Sequence, residues 1–170
     1  MLFSLSVYQD PDMASLCQDP DIVQEVTRKP LNEDLGYVLK QAQTALNAAM
    51  DSALRPCGLT VPQYSCLELL HREPAQTNAQ LARGVFVTAQ SMNDVLRGLQ
   101  RRGLVERSAT ATSGRARPAH LTERGHQAVL DARRSLEPVQ LAMEAIAKAP
   151  EHSQLLNSLR AIVDTLEGEN

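Results

Sequence analysis

The chain has 170 residues, of which 43% are hydrophobic and 22% charged, and its formal net charge is −3. This size and balance are typical of one globular domain with a sizeable core. No apolar run approaches the roughly 18 residues that span a membrane, and the first residues make a poor secretory signal. We therefore expect a cytoplasmic protein without a membrane partner. Because the chain has no Trp and few other aromatic residues, its Ala- and Leu-rich composition favours helices.

The charges are unevenly distributed along the chain. The net charge is −5 over residues 1–27, zero over 28–82, +5 over 83–124 and −3 over 125–170. Every basic residue of the third segment, apart from its histidine, is an arginine. An arginine-only basic island in an otherwise acidic chain is typical of phosphate binding. The alternative is a solvated surface with a chance surplus of arginine, and the spacing of the residues has to decide between the two.

We interpret residues 1–31 as an acidic tail that is either irregular or partly helical. Apolar residues then recur at spacings of three and four, which predicts a first helix over 32–56. Pro56 and Gly58 end it. Residues 32–170 are interpreted as one domain in which this helix and the segment 123–168 flank a head at 60–122.

Two short motifs predict the next two helices. Thr60 and Gln63 form a capping-box pattern, in which a threonine hydroxyl and a glutamine three residues later satisfy the free N–H groups of a helix start. The resulting helix stops before Pro74. Thr77 and Gln80 repeat the pattern and begin a short third helix.

Thr88 is the predicted N-cap of a fourth helix, which runs to about residue 102 and has Gly103 as its C-cap. One face of this helix is apolar and predicts core contacts: Met92, Val95, Leu96 and Leu99. The opposite face is polar: Gln90, Asn93, Asp94, Arg97 and Arg101. Glutamine and asparagine can hydrogen-bond adenine edges, and arginine can bind guanine or phosphate, so this face predicts DNA contacts. For Asp94 two roles are open: its carboxylate accepts a hydrogen bond from a cytosine amino group, or it orients Arg97.

A β-hairpin follows the fourth helix. Residues 104–107 and 119–122 are its predicted strands, and Ser113-Gly114 is the turn that leaves Arg115 and Arg117 at the tip. Thr122 then caps a long helix, which we expect Pro138 to bend or interrupt. The last helix carries apolar residues from 155 to 166 in nearly a coiled-coil seam.

Helices followed by a two-stranded hairpin make a winged helix-turn-helix, and here the sequence resembles the MarR-type transcriptional regulators. The resemblance is carried by LTVPQYSCLELL, by NAQLARGVFVTAQSMNDVLRGLQRRGLVER and by HLTERG, which ends at Gly125. Wings of this family commonly carry an Asp before the basic residues, whereas this chain has Ser113-Gly114-Arg115. The expected fold is mainly α with a small two- or three-stranded β-wing and with dimerisation helices at both ends.

The resemblance implies a homodimer that binds double-stranded DNA at a pseudo-palindromic operator and acts as a regulator, with repression as our expectation. The residues assigned to the major groove and its phosphates are Thr88, Gln90, Ser91, Asn93 and Arg97. Arg115 and Arg117 are assigned to the minor groove or its phosphates. Family members usually release DNA when a small aromatic or anionic molecule binds. The resemblance suggests Tyr37, Arg55 and Tyr64 as pocket residues, although Tyr64 on an apolar helix face equally suits a core position.

Two other functions remain open at this point. One is a winged-helix protein-interaction module that does not bind specific DNA, because a fold alone does not fix function. The other is a thiol-based oxidation sensor of the same family, with Cys57 or Cys17 as the reactive thiol, while Cys66 in an apolar run is interpreted as buried. The four histidines lie apart from any nucleophile or paired carboxylates. We therefore expect no enzyme activity, no cofactor and no metal.

Overall fold

A computed structural model describes residues 30–107, 117–146 and 150–168 of the chain. Its elements are α1 (Leu35–Leu54), α2 (Val61–Arg72), α3 (Asn78–Val85), α4 (Ala89–Arg101), β1 (Val105–Arg107), β2 (Ala119–Leu121), α5 (Glu123–Ile146) and α6 (Glu151–Glu167). The described residues divide into two compact units, one up to residue 46 and one from residue 47 onward, and the boundary lies within α1. The first unit contains a short 3-10 turn, Leu31–Glu33, after which the Asp34 carboxylate accepts a hydrogen bond from the Tyr37 N–H at 2.7 Å and so begins α1.

In the second unit, α1 ends as the sequence predicts. The 3-10 turn Arg55–Cys57 follows Leu54 directly, and Gly58 adopts a left-handed conformation with φ of 63°. This conformation costs glycine little because glycine has no Cβ. Leu54 itself is fully buried in the core of the second unit.

The helix starts of the head are those that the sequence predicts. Thr60 with Gln63 and Thr77 with Gln80 both form complete capping boxes. The Thr88 hydroxyl accepts a hydrogen bond from the Ser91 N–H at 3.1 Å and caps α4. Each of these contacts satisfies N–H groups that have no partner inside the helix.

The other end of α4 is closed by a Schellman motif, which reverses the chain into β1. Gly103 has φ of 67°. Its N–H donates to the Gln100 carbonyl at 2.9 Å, and the Leu104 N–H donates to the Leu99 carbonyl at 3.0 Å. This pair of bonds defines the motif. The helix ends at Arg101 and its C-cap is Arg102, so the predicted C-cap is off by one residue, and Gly103 is the left-handed residue directly after the cap.

The core of the second unit is aliphatic, as the composition predicts. The fully or almost fully buried large side chains are Leu54, Leu67, Leu70, Leu81, Met92, Leu96, Leu99 and Val129. Three of the four apolar residues predicted for the inner face of α4 are among them, and Val95 is half-buried against the same cluster. Cys66 is also buried, as predicted, and burial raises the pKa of its thiol to about 12.

The two strands pair antiparallel, with Val105 opposite Leu121 and Arg107 opposite Ala119. An additional isolated bridge joins Gln76 to Ala119, so the loop before α3 extends the hairpin by one contact. The loop between the strands, residues 108–116, lies outside the described residues. The predicted turn at Ser113-Gly114 and the tip residue Arg115 are in that loop.

The start of α5 lies against the end of the Schellman motif. The Thr122 hydroxyl accepts from the Gly125 N–H at 3.1 Å and donates to the Gly103 carbonyl at 2.7 Å. A Cβ added to Gly125 would lie 2.1 Å from the Leu104 carbonyl oxygen. Only glycine fits at this position, because a contact that short is sterically impossible.

Helix α5 continues through Pro138, so of the two expected outcomes, a bend or an interruption, the interruption is wrong. Proline removes one backbone N–H donor and crowds the preceding turn, yet the helix reaches Ile146. Beyond Leu136 the described apolar side chains of α5 and α6 are largely exposed, including Leu141, Met143, Leu155 and Leu166. None of the described helices is long and apolar enough to cross a membrane.

Candidate nucleic-acid interface

The N-terminal turn of α4 is exposed and carries no acidic side chain. Its first turn contains no Asp or Glu, and Ala89, Gln90 and Ser91 are exposed. The Thr88 hydroxyl also donates to the Ser91 hydroxyl at 2.9 Å, so both side chains are held at the helix start. A helix N-terminus with free N–H groups and a positive dipole end suits a phosphate oxygen.

The outer face of α4 carries the side chains that the sequence predicts. Gln90, Asp94, Arg97 and Arg101 are all exposed. The Asp94 carboxylate lies 3.5 Å from the Arg97 guanidinium, which is the orienting contact considered for Asp94. Because both side chains are about two-thirds exposed, this ion pair contributes little stability and leaves Arg97 free to exchange partners.

Asn93 differs from its neighbours because a second element holds it. It is half-buried, and its side-chain carbonyl oxygen accepts a hydrogen bond from the Nη2 of Arg107 on β1 at 3.4 Å. The Nε of Arg107 is buried and lacks a hydrogen-bond partner among the described residues. Sequence patterns do not indicate this contact, because it joins residues 14 positions apart in a helix and a strand.

Sequence reasoning missed two further residues, one at the start of α3 and one in the turn between α3 and α4. Asn78 donates a hydrogen bond from its side-chain amide to the Ala89 carbonyl at 3.0 Å and so ties α3 to the start of α4. Phe86 lies in the turn with φ of 59° and is 86% exposed. A left-handed aromatic residue is uncommon, and the available signal was an aromatic residue two positions before a predicted N-cap.

The arginines of the basic island have unequal roles. Arg102 donates from its guanidinium to the carbonyls of Gly58 at 2.8 Å and Cys57 at 3.3 Å, so it closes the turn after α1. Arg117 is exposed two residues before β2 begins. Arg115 lies outside the described residues. Within the basic island, Arg102 therefore stabilises the fold, whereas Arg117 is an accessible positive charge.

A charged cluster joins α2 to α5. The Glu68 carboxylate accepts two hydrogen bonds from Arg133, at 2.8 and 2.9 Å, and one from Arg72 at 2.7 Å. The Tyr64 hydroxyl donates to the same carboxylate at 3.4 Å. The Arg133 hydrogen bonds, opposed by burial and supported by Arg72, lower the pKa of Glu68 to about 2. This cluster stabilises the packing of the head against the long helix.

The three residues suggested for a ligand pocket lie in different settings. Tyr37 belongs to the first unit and is exposed, whereas Arg55 and Tyr64 belong to the second. Arg55 is exposed after α1. Tyr64 is half-buried against the core, and burial together with the Glu68 charge raises the pKa of its hydroxyl. Tyr64 thus combines a ring packed against the core with a hydrogen-bonded polar tip.

Two other side-chain pairs join α5 to neighbouring elements. The Cys57 sulfur is half-buried and 3.4 Å from the Ser135 hydroxyl oxygen. The Nδ1 atoms of His71 and His126 are 3.2 Å apart, so one ring donates a hydrogen bond to the other. Among the described residues, no three His, Cys, Asp or Glu side chains form a group that would hold a metal ion.

Comparisons with known proteins identify relatives of this chain. A model of the MarR family matches residues 58–116. The HTH-type transcriptional repressor Rv2887 of Mycobacterium tuberculosis is 46% identical over 91 residues, a match that spans 54% of this chain and 66% of that protein.

Solved structures of the same relative cover more of the chain. The Mycobacterium tuberculosis MarR family protein Rv2887 in complex with salicylic acid is 36% identical, with a TM-score of 0.61, and the alignment covers 76% of this chain and 96% of that one. The complex of Rv2887 with DNA is 33% identical, with a TM-score of 0.61, and the alignment covers 76% and 97%.

Proposed function

This chain belongs to the MarR family of transcriptional regulators, and we propose that it is a cytoplasmic homodimeric repressor that binds a specific operator and releases it when a small aromatic acid binds. The observation that carries this proposal is the outer face of α4. Its capped N-terminus lacks acids, and amide and guanidinium side chains follow it on the solvent side. Transcriptional regulators are not an enzyme class, and we assign the chain no catalytic step.

The exposed apolar residues support a dimer. Leu141 and Met143 on α5, and Leu155, Val163 and Leu166 on α6, are between 48% and 59% exposed. Apolar surface repeated along two helices is typical of a protein interface. A two-fold axis through these helices would set two α4 helices into successive major grooves about 34 Å apart, and the operator would be pseudo-palindromic.

Within each head, side chains divide into those that position the protein and those that read the sequence. We propose that Thr88, Ser91 and the α4 N-terminus bind a phosphate, because hydroxyl and N–H groups donate to phosphate oxygens whatever the base. Gln90, Asn93 and Arg97 lie along the major groove. Arg115 and Arg117 contact the minor groove or its phosphates.

The proposed effector is an aromatic carboxylate. The relative Rv2887 has been solved with salicylic acid and with p-aminosalicylic acid. In the second unit of this chain, Arg55 and Tyr64 supply a guanidinium and aromatic surface, which suit a small aromatic anion. Salicylate should lower the affinity for the operator, and Arg55→Ala should weaken that effect while leaving the affinity without salicylate unchanged.

The direct test is fluorescence anisotropy of the full chain on DNA from upstream of its own gene, measured across a salt series. We expect affinity to fall steeply with salt, and the upstream duplex to be preferred over random duplex. Gln90→Ala should reduce that preference. Arg117→Ala should weaken binding to both duplexes alike.

The control variant is Arg134→Ala, which removes an exposed arginine from α5 that pairs with Asp131. It should leave both duplexes unaffected. Weak binding that does not discriminate between the two duplexes, even at low salt, would favour a protein-interaction module instead.

A further inference from the structure

Asn93 presents its two amide ends in different directions. Arginine has only hydrogen-bond donors, so the Asn93 atom that contacts Arg107 Nη2 at 3.4 Å has to be the carbonyl oxygen. The usual ambiguity between oxygen and nitrogen in an asparagine side chain is removed by this partner. The oxygen therefore points toward β1, and the NH2 group points away from it.

This orientation changes which base Asn93 can read. Recognition of adenine by asparagine needs both amide ends at one base edge, because the oxygen accepts from N6 while the nitrogen donates to N7. In this chain the oxygen is turned toward Arg107. The NH2 group of Asn93 remains available, and it can only donate. At adenine it would find a single acceptor, N7, because the neighbouring N6 group is itself a donor.

Guanine offers the complementary pattern. It is the base that presents two adjacent acceptors, O6 and N7, in the major groove. Resting on the proposed function, we infer that Asn93 reads guanine through its amide N–H groups, and that Arg107 is a positioning residue that sets this preference without touching DNA. Gln90, which is exposed on the same face, keeps both amide ends available.

Arg107 is well placed for this role because its own position is fixed. It lies on β1 opposite Ala119 on β2, and Ala119 is buried and hydrogen-bonded through its N–H to the Gln76 carbonyl at 2.9 Å. The Arg107 Nε is buried away from solvent. The strand holds the Arg107 backbone beside α4, and the Nη2 contact orients the Asn93 oxygen before DNA binds, so the reading side chain is preorganised.

The experiment is a binding scan in which each operator position carries each of the four base pairs in turn, for the wild type and for Asn93→Ala. The position at which Asn93→Ala loses preference is the position that Asn93 reads. We expect the wild type to prefer guanine there by about 10-fold. Replacing that guanine by 7-deazaguanine, which lacks the N7 acceptor, should lower wild-type affinity and leave Asn93→Ala unaffected.

Variants of Arg107 test the positioning role. Arg107→Met removes the donor, frees the Asn93 oxygen and should raise the acceptance of adenine at that one position. Arg107→Lys keeps a donor and should keep the guanine preference. The thermal melting temperature of each variant shows whether it is folded, and the 7-deazaguanine measurement needs no Arg107 variant.

The outcomes separate this inference from the proposed function. A wild type that discriminates among operators but prefers adenine or thymine at the Asn93 position overturns the inference alone. So does an Asn93→Ala variant with an unchanged preference at every position, since Asn93 would then only brace β1. A wild type without any sequence preference overturns both.

Discussion

Replacing Glu68 by glutamine should uncouple the head from α5 and remove a pH-dependent part of the stability. The carboxylate receives hydrogen bonds from Arg133 and Arg72, and its pKa is lowered from 4.5 to about 2. That difference corresponds to about 3 kcal/mol of differential interaction at neutral pH. Arg133 is 39% exposed and Arg72 is 71% exposed. Solvent screening of these partners reduces the expected loss to about 1.5 kcal/mol.

The sign of the pH dependence follows from the direction of the pKa change. A carboxyl group with a lowered pKa in the folded state stabilises the protein above its unfolded pKa, here 4.5. This contribution is lost as the pH falls from 4.5 toward 2. The wild type should therefore lose about 1 kcal/mol between pH 7 and pH 3.5 that Glu68→Gln does not lose.

Urea denaturation followed by circular dichroism, at pH 7 and at pH 3.5, measures both effects at a fixed protein concentration. Glu144→Gln is the matched control, because Glu144 is exposed on the same helix as Arg133 and its carboxylate accepts a hydrogen bond from the Gln140 side chain one turn away. A Glu68→Gln variant as stable as the wild type at pH 7 would refute the reasoning. So would a stability difference that stays the same at both pH values.

Three further substitutions test the frame of the head, each by urea denaturation. Phe86→Gly should stabilise the protein by about 0.5–1 kcal/mol, because a left-handed residue with an exposed side chain loses strain and little packing; a less stable variant would contradict this. Gly125→Ala should destabilise by more than about 2 kcal/mol through the clash with the Leu104 carbonyl, whereas Gly36→Ala, whose Cβ would meet its nearest neighbour at 3.5 Å, should not. Thr88→Ala should cost about 1 kcal/mol, and Thr88→Ser should restore most of that loss.

The parts of the fold that the sequence predicted are those encoded within a few neighbouring residues. Thr60 and Thr77 cap their helices through residues three positions later, and Gly103 ends α4 through a local left-handed turn. Such contacts depend on the chain near them and little on the rest of the protein. Pro138 shows the limit of local reasoning, because the helix continues through it.

The contacts that the sequence did not predict join distant segments. Arg133 reaches Glu68 across 65 positions, and Arg107 reaches Asn93 from a strand. Side chains of this kind look like ordinary surface charges in the sequence, because helical periodicity shows which face a residue lies on and not which element faces it. The outer face of α4 was predictable by periodicity, whereas the direction of the Asn93 amide was not.

The close approach of Gly125 to the Leu104 carbonyl also bears on how such a regulator can diverge. A substitution at this glycine disrupts folding, so it is selected against whatever its effect on DNA binding. Gln90 and Arg97 are exposed, so changes there leave the fold intact and act only on binding. Substitutions at a few exposed side chains of α4 can therefore change the operator that is bound. The junction between the wing and α5 has to stay the same while they do so.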